Sequence, residues 1–529
     1  MTTGVKNRWL EAIQQPGFYD HPVAQVELIE THISWIFLAG DFAYKVKKPV
    51  DFGFLDFSTL AKRHHFCLEE LRLNRRFAPQ LYLGVKTIGG DPASPKMGGA
   101  PVLDYAVQMR RFAQKDQLDR VLARGCLDSQ QLASFASMIA RVHQAAAVSD
   151  AGQFYGTPQS IIGPVIENFS QIRSLLSATK CHQLGELEEW SRRSHDELHG
   201  LLQQRKSDGF IRECHGDLHL ANMAWIDEEP ILFDCIEFNE NLRWIDVIND
   251  IAFLVMDLED RGQKKLGWSF LNHYLQATGD YQGLQLLRFY EVYRAMVRAK
   301  VNCLRLAQPG LSDAERTQDR KLYQSYLILA RSFTTKPAKG VVITHGLSGS
   351  GKSTFVRKLA ASCGAIHLQS DLERKRLHGL TANMNSHSPP GGGIYDARAN
   401  LATYERLQML AETGLIADYS VIVDAAFLKK SQRDKLRDLA ADLHTPLVIL
   451  DFAVPEPELR RRIRQRINAG GDVSEANQEV LNHQMIEQQP LDENEQQFVI
   501  TIVPDTTPAE AARCISERFN NNWGHCKSP

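Results

Sequence analysis

Paired cysteines are what this chain most plainly lacks. Its nine cysteines are scattered, odd in number and never arranged as C-x-x-C, so neither a disulfide framework nor a structural zinc site is expected, and a reducing compartment fits. Long apolar runs are missing too. The longest, near "IAFLVM" at 251–256, falls far short of a membrane span, and "MTTGVKNRWLEAIQQPGFY" has no apolar core of signal-peptide length. A cytoplasmic protein with no membrane partner is expected. Charge of one sign is not in excess either: the net charge is −2, which removes any global electrostatic case for a nucleic-acid partner. No internal repeat is visible.

What is present is length and two kinds of phosphate-handling motif. A chain of 529 residues is too long for one core, and roughly two to four domains are expected. The best boundary is "SFTTKPAKG" at 332–340, small, polar and broken by Pro and Gly just before an apolar strand. The expected domains are therefore 1–335 and 338–529. In the first, residues to about 112 read as strand-rich: "HISWIFLAGDFAYKVKK" (32–48) carries a hairpin signal. "AKRHHFCLEELRLNRRFA" (61–78) is helical, and "PVLDYAVQMRRF" (101–112) returns to strand. Residues 113–330 read as a mostly helical lobe. After 340, "GVVITHG", "AIHLQSD", "YSVIVDAAF", "PLVILDFAV" and "FVITIVP" alternate with helical patterns, the rhythm of a parallel α/β sheet with strands buried on both faces.

"GLSGSGKST" (346–354) fits G-x-x-x-x-G-K-[ST], between the strand "VVIT" and a helix, the setting this phosphate loop requires. Gly346, Gly349 and Gly351 let backbone N–H groups face phosphate oxygens. Lys352 neutralises the β- and γ-phosphates, the Ser353 hydroxyl ligates Mg²⁺, and Thr354 adds a contact to the nucleotide.

The segment 340–520 resembles the P-loop small-molecule kinases, the class of gluconate kinase, polynucleotide kinase and zeta-toxin-type kinases. The resemblance implies Asp371 of "LQSDLERKRL" as base for an acceptor hydroxyl, Arg374 as substrate clamp and Asp424 as the second carboxylate beside Mg²⁺. The arginine cluster "ELRRRIRQR" (458–466) reads by composition as a solvated face or a nucleic-acid patch. The resemblance favours a lid, with Arg462 and Arg466 on one helical face over the γ-phosphate. Tyr395 and Arg398 lie on the stretch that resembles the substrate-side helix.

In "HGDLHLANM" (215–223) an Asp is followed five residues on by an Asn, and "ILFDCIEF" (231–238) sets a second Asp after an apolar run. His215, Gly216, Asp217, His219 and Asn222 match H-G-D-x-H-x-x-N, so the stretch resembles the aminoglycoside phosphotransferase and choline-kinase branch of the protein-kinase-like fold. The resemblance implies Asp217 as the group orienting the acceptor hydroxyl, and Asn222 and Asp234 as Mg²⁺ ligands. It also requires a strand lysine and a helix glutamate. "FAYKVKKPV" offers Lys45, Lys47 and Lys48; "CLEELRLNRR" offers Glu69 and Glu70. Lys45 and Glu70 are the first choices, with Lys45 and Lys47 on one strand face and Lys48 on the other. Met109 falls where the branch passes the adenine. The glycine-rich loop of protein kinases is absent. Two other roles compete for these residues: His215, His219, Cys214 and Cys235 as a zinc site, and Asp246 and Asp250 as catalytic acids rather than supports of the loop.

The expected protein is thus a two-domain chain, an α+β protein-kinase-like domain followed by an α/β P-loop domain with a parallel sheet. It would use ATP and Mg²⁺ at two sites to phosphorylate hydroxyls of a small molecule. The alternatives are a ligand-binding scaffold coupled to a P-loop ATP switch or toxin-like module, and a polynucleotide 5′-hydroxyl kinase.

Overall fold

The computed structural model describes residues 9–521 except 54, 176–181, 309, 383, 390 and 470–473. Contacts divide the chain into two compact units, residues 1–170 with 192–257, and residues 171–191 with 258–529.

The first unit is built on a six-stranded antiparallel sheet of order β1-β2-β3-β6-β4-β5. The hairpin signal becomes β2 (Ser34–Ala39) and β3 (Phe42–Lys47), after β1 (Val26–Glu30). Gly40, between β2 and β3, has φ +56, and a Cβ there would meet the Pro22 carbonyl oxygen at 2.7 Å, so glycine is required at that turn. Helix α1 (Leu60–Asn74), capped by the Thr59 hydroxyl on Lys62 N, packs on β6 (Val102–Arg110) and β4 (Tyr82–Asp91), which β5 (Ser94–Met97) extends. Cys67, Leu81, Tyr82 and Val107 form the core between them, and Ala224 and Ile231 join it from the hairpin of β8 (Met223–Ile226) and β9 (Glu229–Leu232). The loop 214–222 lies between β7 (Ile211–Glu213) and β8. The short strand β10 (Trp244–Asp246) pairs with β7 and leads into helix α2 (Val247–Asp260).

The second unit holds a five-stranded, wholly parallel sheet of order β12-β13-β11-β14-β15. Its strands are β11 (Val341–His345), β12 (Ala365–Gln369), β13 (Ser420–Asp424), β14 (Leu447–Phe452) and β15 (Val499–Ile502), one for each apolar run of the sequence. The first four are almost entirely buried, as strands covered on both faces must be. The same unit contains helices α3 (Lys264–Thr278), α4 (Leu284–Leu306) and α5 (Asp313–Phe333), and α3 packs against β12 and α6 (Lys352–Cys363). Helices that precede the linker near 335 are thus grouped with the P-loop sheet, α3 through its packing on β12 and α6.

Candidate functional sites

In the first unit, three carboxylates converge on two lysines. Lys45 Nζ lies 2.9 Å from Glu70 Oε1 and also binds Asp234 Oδ1. Lys47 Nζ donates to Glu70 Oε2 at 2.7 Å and pairs with Glu237 Oε1. Lys48 turns away to Glu30 and the Thr31 carbonyl. The alternation read in the strand thus holds, and Glu69 is spent on Arg72. Burial opposes the charge on Lys45, yet Asp234, Glu70 and Glu237 hold it well above its ordinary value. Glu70 is held ionised against its own burial by the two lysines. Of the five groups only Asp234 is substantially exposed, at 46% of its side chain against 8% or less for the others, so Lys45 and Asp234 are the pair that meets solvent.

Asp234 is positioned through its backbone. Its φ is +62, an unfavourable conformation for a non-glycine residue. Tyr82 Oη accepts from its N–H at 3.0 Å, and Asn74 Oδ1 accepts from Cys235 N at 2.8 Å. Helix α1 and strand β4 therefore pin the turn that presents this carboxylate.

The loop 215–222 is held by acids of α2. Asp250 accepts from His215 N at 3.0 Å and Gly216 N at 2.8 Å, and Asp257 accepts from Leu220 N at 3.0 Å. Asp246 pairs with the buried Arg205 at 2.7 and 2.9 Å. Asp246 and Asp250 are thus supports. Asn222 Nδ2 donates to Asp217 Oδ2 at 2.8 Å and to the Asp217 carbonyl at 3.0 Å, while His219 Nε2 lies 3.2 Å from Asp217 Oδ2. With its nitrogen committed to Asp217, Asn222 has its amide oxygen as the atom suited to a cation. His215 bonds the Phe233 carbonyl at 2.9 Å, and burial lowers its pKa. The expected alternative of a zinc site made by His215, His219, Cys214 and Cys235 does not form. The metal-spaced group among the described residues is His143, Cys214 and Asp250, and Asp250 already accepts from two backbone N–H groups and contacts His143. Met109 lies on β6 opposite Ala43 and Tyr82, half-buried against the Leu81 and Val107 core.

In the second unit, the loop 346–351 joins β11 to α6 with Gly346, Gly349 and Gly351 all at positive φ. A Cβ at Gly349 would stand 2.9 Å from the Leu459 carbonyl oxygen, so helix α9 (Glu456–Ala469) closes over the loop only because glycine is there. Helix α6 has no side-chain cap, which leaves its first N–H groups for an anion. Lys352 Nζ folds back on the Gly346 and Leu347 carbonyls, both at 2.8 Å. Burial lowers its pKa to about 8, against the pull of Asp424 and Asp371. Thr354 is exposed in the first turn of α6.

Around the loop, burial opposes ionisation of Asp424, but a hydrogen bond from His367 at 3.2 Å, the Ser353 hydroxyl and Lys352 hold its carboxyl below the ordinary range. Ser353 and Asp424 thus offer an oxygen pair with Lys352 beside it. Asp371 opens α7 (Ser370–Leu377), and burial raises its pKa while Arg374 and Arg466 oppose that shift. Arg374 donates to the Ile394 carbonyl at 3.0 Å and stacks over Tyr395 at 5.0 Å, with its buried Nε unpartnered. Arg462 donates to the Ser350 carbonyl at 3.1 Å, and Arg466 to the Ala476 carbonyl. Lys352, Ser353, Asp371, Arg374, Asp424 and Arg466 are therefore one electrostatic cluster, with Arg462 on the loop itself. Arg398 is exposed near the start of α8 (Ala397–Ile416).

Sequence reasoning missed Glu237, Asp257 and His367. A signal existed for Glu237, which follows Asp234 by three residues. None existed for Asp257 and His367, whose roles depend on tertiary contacts.

Two segments of the chain match known families. Residues 106–290 match the phosphotransferase enzyme family, and residues 341–491 match an AAA domain family. Two uncharacterized proteins, of Mycobacterium tuberculosis and Mycobacterium bovis, are each 33% identical over 460 residues, covering 86% of this chain and 89% of theirs. Among solved structures, an amicoumacin kinase in complex with AMP-PNP and Ca²⁺ is 14% identical, covers 62% of this chain and 96% of its own, and has a TM-score of 0.40. A gluconokinase from Sinorhizobium meliloti is 22% identical, covers 35% and 93%, and has a TM-score of 0.23. No helix among the described residues is long and apolar enough to cross a membrane. The chain belongs to one family with the two mycobacterial proteins, and it joins a segment matching the phosphotransferase enzyme family to a segment matching an AAA domain family in one polypeptide.

Proposed function

We propose that this protein is an ATP-dependent phosphotransferase with two nucleotide sites, each moving the γ-phosphoryl group to a hydroxyl of a small molecule. The observation that carries the reading is Lys45 held between Glu70 and Asp234. An inactive scaffold has no use for a buried, charge-balanced lysine presented beside an exposed carboxylate.

In the first unit, Asp217 orients the acceptor hydroxyl and takes its proton as the new O–P bond forms. Lys45 neutralises phosphate oxygens, Glu70 fixes Lys45, and Met109 lines the base. In the second unit, Asp371 serves the acceptor, Arg374 clamps it, and the amides of 346–351 with Lys352 and Thr354 hold the phosphates. Arg462 and Arg466 offset charge on the transferring group. The acceptor oxygen bonds to the γ-phosphorus as the bridge to the β-phosphate breaks, leaving ADP.

Asn222 with Asp234, and Ser353 with Asp424, are hard oxygen donors of the kind Mg²⁺ takes. These residues would hold Mg²⁺, which when bound would supply positive charge against the nucleotide phosphates. Positioning and charge compensation are the main demands of such transfer, and both clusters supply them. The absence of net positive charge weighs against the polynucleotide kinase alternative.

The test is transfer from labelled ATP to sugars, amino-alcohols, aminoglycosides and 5′-hydroxyl oligonucleotides by the full-length chain, Asp217→Ala and Asp371→Asn. Transfer to a small hydroxyl compound that one variant abolishes and the other spares is expected. Transfer to oligonucleotides alone would replace this reading.

A further inference from the structure

Strand β12 is an edge of the parallel sheet, paired among the described residues only with β13, so its outward N–H and C=O groups need partners. They find them on α3, a helix within the segment matching the phosphotransferase family and not the P-loop segment. Asn272 Oδ1 accepts from His367 N at 2.7 Å, and Asn272 Nδ2 donates to the Ala365 carbonyl at 3.0 Å. That contact is an edge cap and explains itself. Gln276, one turn on, does something further. Its Nε2 lies 3.2 Å from both the His367 carbonyl oxygen and His367 Nδ1.

The carbonyl can only accept, so the amide nitrogen must be the atom facing it, and the same nitrogen donates to Nδ1. Nδ1 is thereby the acceptor of the ring, and Nε2 carries the hydrogen. Nε2 is the atom 3.2 Å from Asp424 Oδ2. Ala365 and Ile422 lie in the core beneath α6, so His367 and Asp424, each two residues on, share that face with the P-loop. His367 is 2% exposed, and both its ring nitrogens are committed.

Building on the kinase reading of the P-loop site, we propose that Gln276 and His367 are positioning residues for Asp424. The relay Gln276–His367–Asp424 makes helix α3 a working part of the C-terminal kinase site. Gln276 fixes the tautomer, His367 fixes which carboxylate oxygen remains for the cation, and Ser353 stands opposite. Partners of this kind behind a ligating group govern metal affinity by roughly 10–100-fold.

The experiment uses the full-length chain carrying Asp234→Ala, so that calorimetric binding of AMP-PNP reports the C-terminal site. Nucleotide affinity is measured across a Mg²⁺ series and in EDTA. Gln276→Leu and His367→Leu should raise the Mg²⁺ needed for half-maximal enhancement by about 10-fold, with affinity in EDTA unchanged. His367→Gln, which keeps a donor towards Asp424, should recover part of the loss. Asn272→Ala should lower the Tm and leave the Mg²⁺ dependence in place. An unchanged Mg²⁺ dependence in folded Gln276→Leu and His367→Leu would overturn the proposal, as would an equal shift in Asn272→Ala. Binding indifferent to Lys352→Ala, or absent from the parent, would overturn the kinase reading of the site and the relay with it.

Discussion

Lys47 and Glu237 form an ion pair in the interior of the first unit, fully buried on one side and 4% exposed on the other. Lys47 stands two residues past Lys45 on the same face of β3, and Glu237 three residues past Asp234. The exposed pair is thus doubled by a buried pair, with Glu70 shared between the two lysines. Removing one partner of a buried ion pair strands the other charge at about 3–5 kcal/mol. Lys47→Met should therefore destabilise the first unit by roughly that amount, while Lys45→Met should chiefly weaken Mg·ATP binding. Denaturant titration and nucleotide calorimetry on both variants distinguish the two roles.

The two acids and one amide at the mouth of this site should separate by function. Asp217→Ala is expected to lower transfer by roughly 10²–10⁴-fold, the usual range for a lost proton acceptor, with Mg·ATP affinity retained. Asp234→Ala should weaken Mg·ATP binding itself. Asn222→Ala should fall between them and regain activity as Mg²⁺ is raised. Single-turnover transfer and nucleotide affinity, measured across a Mg²⁺ series, check all three.

At the P-loop, Lys352→Ala should abolish the C-terminal nucleotide site and leave the other unchanged. Arg462→Ala and Arg466→Ala should lower kcat more than they raise the KM for ATP, because their charge is needed most on the transferring group. Oligonucleotide binding that disappears in the same variants, with turnover retained, would assign the arginines to a nucleic-acid surface.

A buried carboxyl in the second unit gives a pH signature. Burial, reinforced by Glu259 and opposed by Arg288 and Lys264, pushes Glu291 on α4 from 4.5 to about 8. Between those values the folded chain holds the proton that the unfolded chain releases. Stability therefore falls as pH rises through that window, and the loss is complete above it. Glu291→Gln should raise the Tm of the second unit by about 5 °C or more at pH 9 and change it little at pH 4. Calorimetric melts at the two pH values are the check.

The parallel sheet was legible because each strand is a nearly continuous apolar run, and the phosphate loop because its glycines and Lys352 occupy fixed spacings. Asp217, Asn222 and Asp234 were legible for the same reason, as neighbours in sequence. The choice among Lys45, Lys47 and Lys48 was not, since alternation narrows three lysines to two and only the long-range positions of Glu70, Asp234 and Glu237 separate those. The packing of 264–278 on the edge of the P-loop sheet was equally hidden. An amphipathic helix announces that it has a buried face, and Asn272 and Gln276 read as ordinary polar residues until β12 is beside them.

The central claim is two nucleotide sites in one chain, and counting them tests it most directly. Calorimetric titration of the full-length protein with Mg·AMP-PNP should give two molecules bound per chain, one after Asp234→Ala and one after Lys352→Ala. A folded wild-type chain that binds a single nucleotide, lost with Lys352→Ala and untouched by Asp234→Ala, would contradict the account and leave the first unit as a scaffold.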